Sequence, residues 1–154
     1  MTPYKQLIKH HPEQDEYGDC YRTCIACILS VHPSFVPHVY HRGANESATE
    51  EMNEWLGQYD VGQFSAMVPG HADMDEVLSL SIHNPGQYMI ISGRSPRGEF
   101  NHSVVVCDGV VVCDPHTGKP SHDPHEALSG PCEHEGSLYW VVEVLTTTRR
   151  ITDE

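Results

Sequence analysis

A cysteine, a histidine and an aspartate can together run nucleophilic chemistry at a carbonyl, and this sequence sets one of each where that chemistry needs it. Cys20 follows Asp19, a good helix N-cap type, so the thiol falls at the first position of a helix. There the positive end of the helix dipole and free backbone N–H groups favour a thiolate. Such a nucleophile needs a base, a third group to orient the base, and donors for an oxyanion. Among the 12 histidines, His102 suits the base best, because it opens a strand continued by Val104, Val105 and Val106 and so stands at a core edge. Asp114 closes the partner strand Val110–Cys113, and the Asp108-Gly109 turn between them is a strong two-residue hairpin signal. Antiparallel pairing brings His102 and Asp114 nearly opposite, where the carboxylate can fix the imidazole tautomer. Gln14, six residues before Cys20, is a candidate amide donor for the oxyanion, beside the Cys20 N–H.

The elements that must position these groups follow from the patterning. Behind Cys20, the residues Cys24, Ile25, Cys27, Ile28, Leu29 and Val31 leave almost no polar face, so the helix is expected to be buried. Cys24 and Cys27 are read as packing residues. Pro33 and Pro37 stop that helix. Ser47 with Glu50 is a capping-box pattern for a surface helix through about Leu56, with Met52, Trp55 and Leu56 turned inward. Residues 58–72 read as irregular, with a short strand near Phe64. Asp73 caps a further helix, and Asn84-Pro85-Gly86 is a turn. Strands are expected over Gln87–Ser92, His102–Cys107, Val110–Cys113 and Leu138–Leu145, with Asp123-Pro124 opening a helical turn in the last long connection. Helices first and an antiparallel sheet after them make the class α+β.

Composition bounds the function. The 154 residues are expected to form a single domain, with 1–13 as a lead-in, in which His10 and His11 are solvated, and 146–154 as a frayed tail. There is no long apolar run and no signal-peptide pattern, so no membrane partner is expected. Three of the six cysteines crowd at helical spacing and Cys107 and Cys113 lie in valine runs, which points to reduced thiols and a cytoplasmic protein. A net charge of −13 argues against nucleic acid as a partner, since phosphate contacts need Lys and Arg. Two metal readings compete with the thiol reading. Cys20, Cys24 and Cys27 share the spacing of iron–sulfur radical enzymes, but that spacing needs a loop and here falls inside a helix. His116, His122, His125, Cys132 and His134 have the types for zinc, but their spacings fit no standard ligand knuckles. No cofactor and no metal are expected.

Gln14 six before Cys20, the Gly18-Asp19-Cys20 opening of an apolar helix, and the later His102-Ser103-Val104-Val105-Val106 with Asp114-Pro115-His116 resemble the papain-like cysteine peptidase superfamily. Within it the chain is most similar to double-glycine leader peptidases and to small phage and bacterial proteins related to them. The resemblance covers about residues 14–31 and 86–118 and touches Pro33–Pro37. It implies a Cys-His-Asp hydrolase fold with Cys20 as nucleophile, His102 as base, Asp114 as orienter and Gln14 in the oxyanion hole. Leader peptidases often have glycine after the cysteine, whereas this chain has Tyr21; Tyr21 and Asn101 are the candidate substrate-binding residues. The expected activity is hydrolysis or acyl transfer at an amide, isopeptide or thioester of a peptide, protein or small molecule. The alternative is a non-catalytic papain-like module, such as a phage factor that binds a host protein or small molecule.

Overall fold

The computed structural model describes residues 1–147. In order they form α1 (Cys20–Leu29), α2 (Ala48–Gly57), β1 (Val61–Pro69), α3 (Met74–Ile82), β2 (Met89–Arg94), β3 (Asn101–Cys107), β4 (Val110–Asp114), β5 (Lys119–Ser121), α4 (Pro124–Ala127), β6 (Cys132–His134) and β7 (Ser137–Thr147). The seven strands make one antiparallel sheet in the order β1-β7-β2-β3-β4-β5, with β6 also paired to β7. The class is α+β. No helix among the described residues is long and apolar enough to cross a membrane.

Strand alternation splits the core in two. Ile90, Val105 and Cys113 face one way and pack with Ile25, Cys24 and Cys27 of α1 and with Met52 and Leu56 of α2. Ile91, Val104, Val106 and Val111 face the other way, onto Val77 and Leu78 of α3 and Ala127 of α4. The uninterrupted valine run of β3 is thus buried on both faces, as continuous apolar strands generally are. α1 is deeply buried: Cys24, Ile25, Ala26 and Cys27 are all 0% exposed. It stops at Ser30, which takes the left-handed conformation, just before the first proline turn.

Asp73 caps α3 through the Glu76 N–H at 2.9 Å, and Asp123 caps α4 through the His125 N–H at 3.0 Å, as expected. Ser47 stands before α2 but accepts no bond with its side chain; Asn45 Oδ1 instead takes the Ser47 N–H at 3.0 Å. Residues 61–69, expected to be mostly irregular, form the nine-residue strand β1, paired with β7 along its whole length. The frayed tail expected from Thr146 is corrected at its start, since Thr146 and Thr147 belong to β7; the rest of that expectation, at 148–154, lies outside the described residues. Asp108 and Gly109 both have positive φ, 51° and 81°, as the tight hairpin turn between β3 and β4 demands.

Asp19 holds the start of α1 in a way its type alone does not reveal. It stands at the N-cap, but its side chain makes no capping bond. The carboxylate turns instead to the lead-in segment, taking the Ile8 N–H at 2.9 Å on Oδ1 and Arg22 Nε at 2.9 Å on Oδ2. The Asp19 N–H returns a bond to Ile8 O at 3.2 Å, so residues near Ile8 are tied beside Cys20. Removing one member of a buried pair strands the other charge. Asp19→Ala is therefore expected to cost about 3 kcal/mol, with Asp19→Asn recovering part through the Ile8 bond; urea unfolding midpoints of the two variants measure both effects.

Candidate active site

Cys20 sits at the first residue of α1, where the leading N–H groups of a helix have no intrahelical partner. His102 lies at the start of β3 and Asp114 at the end of β4; each is 3% exposed. His102 Nε2 and Asp114 Oδ1 are 2.7 Å apart, a buried hydrogen bond that leaves Nδ1 as the other ring nitrogen. The same Asp114 oxygen accepts the His116 N–H at 2.9 Å, which locks the carboxylate against the Pro115 turn. A β-bulge between Val105 and Val106 sets this geometry. The turn-proximal pairs are Cys107↔Val110 and Val106↔Val111, but the next is Val105↔Cys113, so β4 has gained one residue. Continued, that register puts Asp114 opposite Val104, which shares a face of β3 with His102. Without the bulge Asp114 would lie opposite Ser103, on the other face.

The electrostatics match an ion pair. Desolvation pushes the Cys20 thiol up, but the charge and hydrogen bond of His102 and the Ser103 backbone outweigh it and hold the thiol below its ordinary value. Burial works to lower the pKa of His102, yet Cys20 and Asp114 together push it up to about 9. Burial likewise raises Asp114, and the His102 bond, the His102 charge and the His116 N–H bring it below the usual carboxylate range. The two shifts run in opposite directions, and both favour the thiolate–imidazolium form.

Gln14 is not brought to this site. It ends an exposed 3-10 turn, Pro12–Gln14, and lines neither hollow beside Cys20. The glutamine that shares a hollow with Cys20 and His102 is Gln6, 9% exposed. It donates one amide N–H to Ile8 O at 2.6 Å, leaving the second for an oxyanion. Sequence spacing missed it because residues 11–16 form a small loop, closed by the His11↔Glu16 bridge, that separates Gln6 from Cys20 along the chain but not in space. His10 also differs from expectation. Half-buried, it accepts the Gly18 N–H at 3.2 Å and leans on Phe100, with ring centroids 4.5 Å apart. His11 is exposed, as expected, and lies 3.4 Å from Glu13.

Cys20 lies between two hollows. One, of about 550 Å³, is floored by Tyr21 and walled by Tyr40, Tyr139 and Glu143. The other, of about 250 Å³, holds His102, His116, Gln6 and Arg97. Asn101 lines both, and Tyr21 lines the larger, so the two candidate substrate-binding residues do border the thiol. Tyr21 does not stand over Cys20 as a free ring, because its hydroxyl is held by Gln63, which also donates to Glu143. Cys24 and Cys27 are buried in the core, Cys27 Sγ 3.7 Å from Cys113 Sγ. Cys132 and His134 of the histidine-rich stretch edge the larger hollow, His116 lines the smaller, and His122 and His125 line neither. Among the described residues no group of three or more His, Cys, Asp or Glu is placed to hold a metal ion.

Thiolate fraction governs alkylation, so the pH profile reads this ion pair directly. Iodoacetamide is expected to label Cys20 at lower pH than it labels an ordinary thiol, whose pKa is about 8.5. His102→Ala removes the cation and moves the profile to higher pH; an unmoved profile, followed by peptide mapping, would take His102 out of the site. No protein-family model, no curated protein and no solved structure matches the chain, so its chemistry rests on the geometry of these side chains.

Proposed function

We propose that the protein is a papain-like cysteine hydrolase or acyl-transfer enzyme acting on an amide, isopeptide or thioester. The observation that carries this reading is the buried 2.7 Å His102–Asp114 bond, with the same imidazole depressing the Cys20 thiol. In the reaction, the Cys20 thiolate attacks the substrate carbonyl carbon, forming an S–C bond and moving the carbonyl electron pair onto oxygen. The Cys20 N–H and the second N–H of Gln6 are the donors available to that oxyanion. The imidazolium of His102 then gives its proton to the leaving nitrogen or sulfur as that bond breaks. Water attacks the acyl-cysteine, His102 takes the water proton, and the acid leaves with the thiolate restored. A second amine or alcohol in place of water would give acyl transfer. Asp114 keeps its charge throughout and orients the ring.

The layout of the site supports the papain-like reading: the cysteine starts a buried helix from the front of the chain, and the histidine and aspartate come from neighbouring antiparallel strands behind it. The same arrangement serves peptidases, amidases and acyltransferases. Treatment with p-nitrophenyl acetate is expected to release nitrophenol in a burst and leave an acetyl group on Cys20 that water removes. Cys20→Ala abolishes the adduct, and His102→Ala slows acylation by about 10²–10⁴. An intact protein that takes no acetyl group on Cys20 would make the chain a binding module.

A further inference from the structure

The two hollows that meet at Cys20 carry opposite charge. The larger is lined by Tyr17, Tyr21, Tyr40, Tyr139 and Phe100, with the carboxylates of Glu46 and Glu143, and among the described residues no Lys or Arg borders it. Glu143 is the telling residue. It is half-buried on β7, Gln63 Nε2 donates to its Oε2, and among the described residues no cation pairs with it. Burial pushes its carboxyl above the usual range, although hydrogen bonds from Tyr21, Gln63 and Ser65 work the other way. A carboxylate ringed by tyrosines is the natural receptor for an ammonium or guanidinium group, through charge and cation–π attraction together.

The smaller hollow reverses the sign. Lys9 and Arg97 border it, no Asp or Glu does, and neither cation has a carboxylate partner among the described residues. Their field is felt inside: after burial, Arg97 and then Lys9 lower the pKa of His116. Gln6, nine-tenths buried on the same wall, has its Oε1 buried with no donor in the protein, an acceptor waiting for an N–H. His102 lines the smaller hollow and not the larger. The group that protonates the leaving amine therefore fixes which half of the substrate lies there.

We propose that the cleft selects a zwitterionic substrate: a cationic group on the acyl half enters the tyrosine and Glu143 hollow, and a carboxylate on the leaving amine lies against Lys9 and Arg97. This deepens the hydrolase reading and rests on it. The simplest such molecule is a short peptide whose last residue, bearing the free carboxylate, follows a lysine or arginine. Attack by Cys20 then forms an S–C bond to the basic residue's carbonyl. The C–N bond breaks, and the proton of His102 passes to the departing amino acid. Water returns the basic acid and the thiolate.

Binding to the Cys20→Ala protein tests the charge pattern without needing turnover. The probes are N-acetyl-lysyl-glycine, N-acetyl-norleucyl-glycine and N-acetyl-lysyl-glycinamide, titrated by calorimetry and by amide NMR shifts. The lysyl-glycine acid is expected to bind at least tenfold more tightly than either of the others. Adding Glu143→Gln should erase the preference for lysine over norleucine while keeping that for the free carboxylate; adding Arg97→Ala should do the reverse. Equal binding of the three probes, or none, overturns the proposal, and this comparison stands even if a second substitution disturbs folding. Cleavage of N-acetyl-lysyl-glycine by the intact protein is read in parallel. Discrimination without cleavage sinks the hydrolase reading and leaves the charge pattern standing; cleavage of all three probes at one rate does the opposite.

Discussion

The buried hydrogen bond between His102 and Asp114 is the constraint around which the site is built. Two ionisable groups at 3% exposure are costly unless each satisfies the other, and the 2.7 Å contact does so in one geometry only. The bulge between Val105 and Val106 makes that contact possible, because one extra residue on β4 moves Asp114 onto the face that His102 shares. The hydrophobic run of β3 gives the bulge its rigidity: Val104, Val105 and Val106 are locked between two cores, so the strand cannot slide to repair the register. Packing on both faces of the sheet thus becomes precision at the imidazole.

The elements that pack most densely were the ones most legible in the sequence. The helix at Cys20 announced itself by an apolar circumference, and the β3–β4 hairpin by a two-residue turn with valines on either side. These two elements carry Cys20, His102 and Asp114, which the structure brings together. β1 was less visible because its stabilisation comes from pairing with β7 rather than from burial: Phe64 and Met67 are 65% and 68% exposed, so no alternation marks the strand. The sheet's second helical face was also hidden, since a run of valines says that a strand is buried but not by what.

Gln14 and Gln6 show a different limit. Counting residues back from a cysteine assumes that the chain between runs without a detour. Here the loop closed at His11 and Glu16 adds a detour, and the tie between Asp19 and Ile8 brings the earlier segment alongside the thiol. Asp19 was legible as a cap by type, yet a buried carboxylate facing Arg22 and a backbone N–H does more for the structure as a clamp. Long-range pairing of this kind leaves no local pattern. The placement of His10 is hidden for the same reason, its partners Gly18 and Phe100 lying far away in sequence or across the loop.

Tyr21 bears on what the cleft can admit. The ring directly after Cys20 lines the larger hollow with its hydroxyl held by Gln63, which also donates to Glu143. That network commits a tyrosine, an amide and a carboxylate to one cluster that, among the described residues, has no cation paired to it. In a chain with a net charge of −13 the surrounding field adds to the penalty of burying that carboxylate rather than relieving it. Lys9 and Arg97, which could have supplied the missing charge, stand instead in the hollow on the other side of Cys20. Both are exposed and served by water, while the half-buried Glu143 has the Gln63 amide as its donor. On the proposed reading, the sign of the charge on each side of Cys20 matches the group that a zwitterionic substrate would bring there.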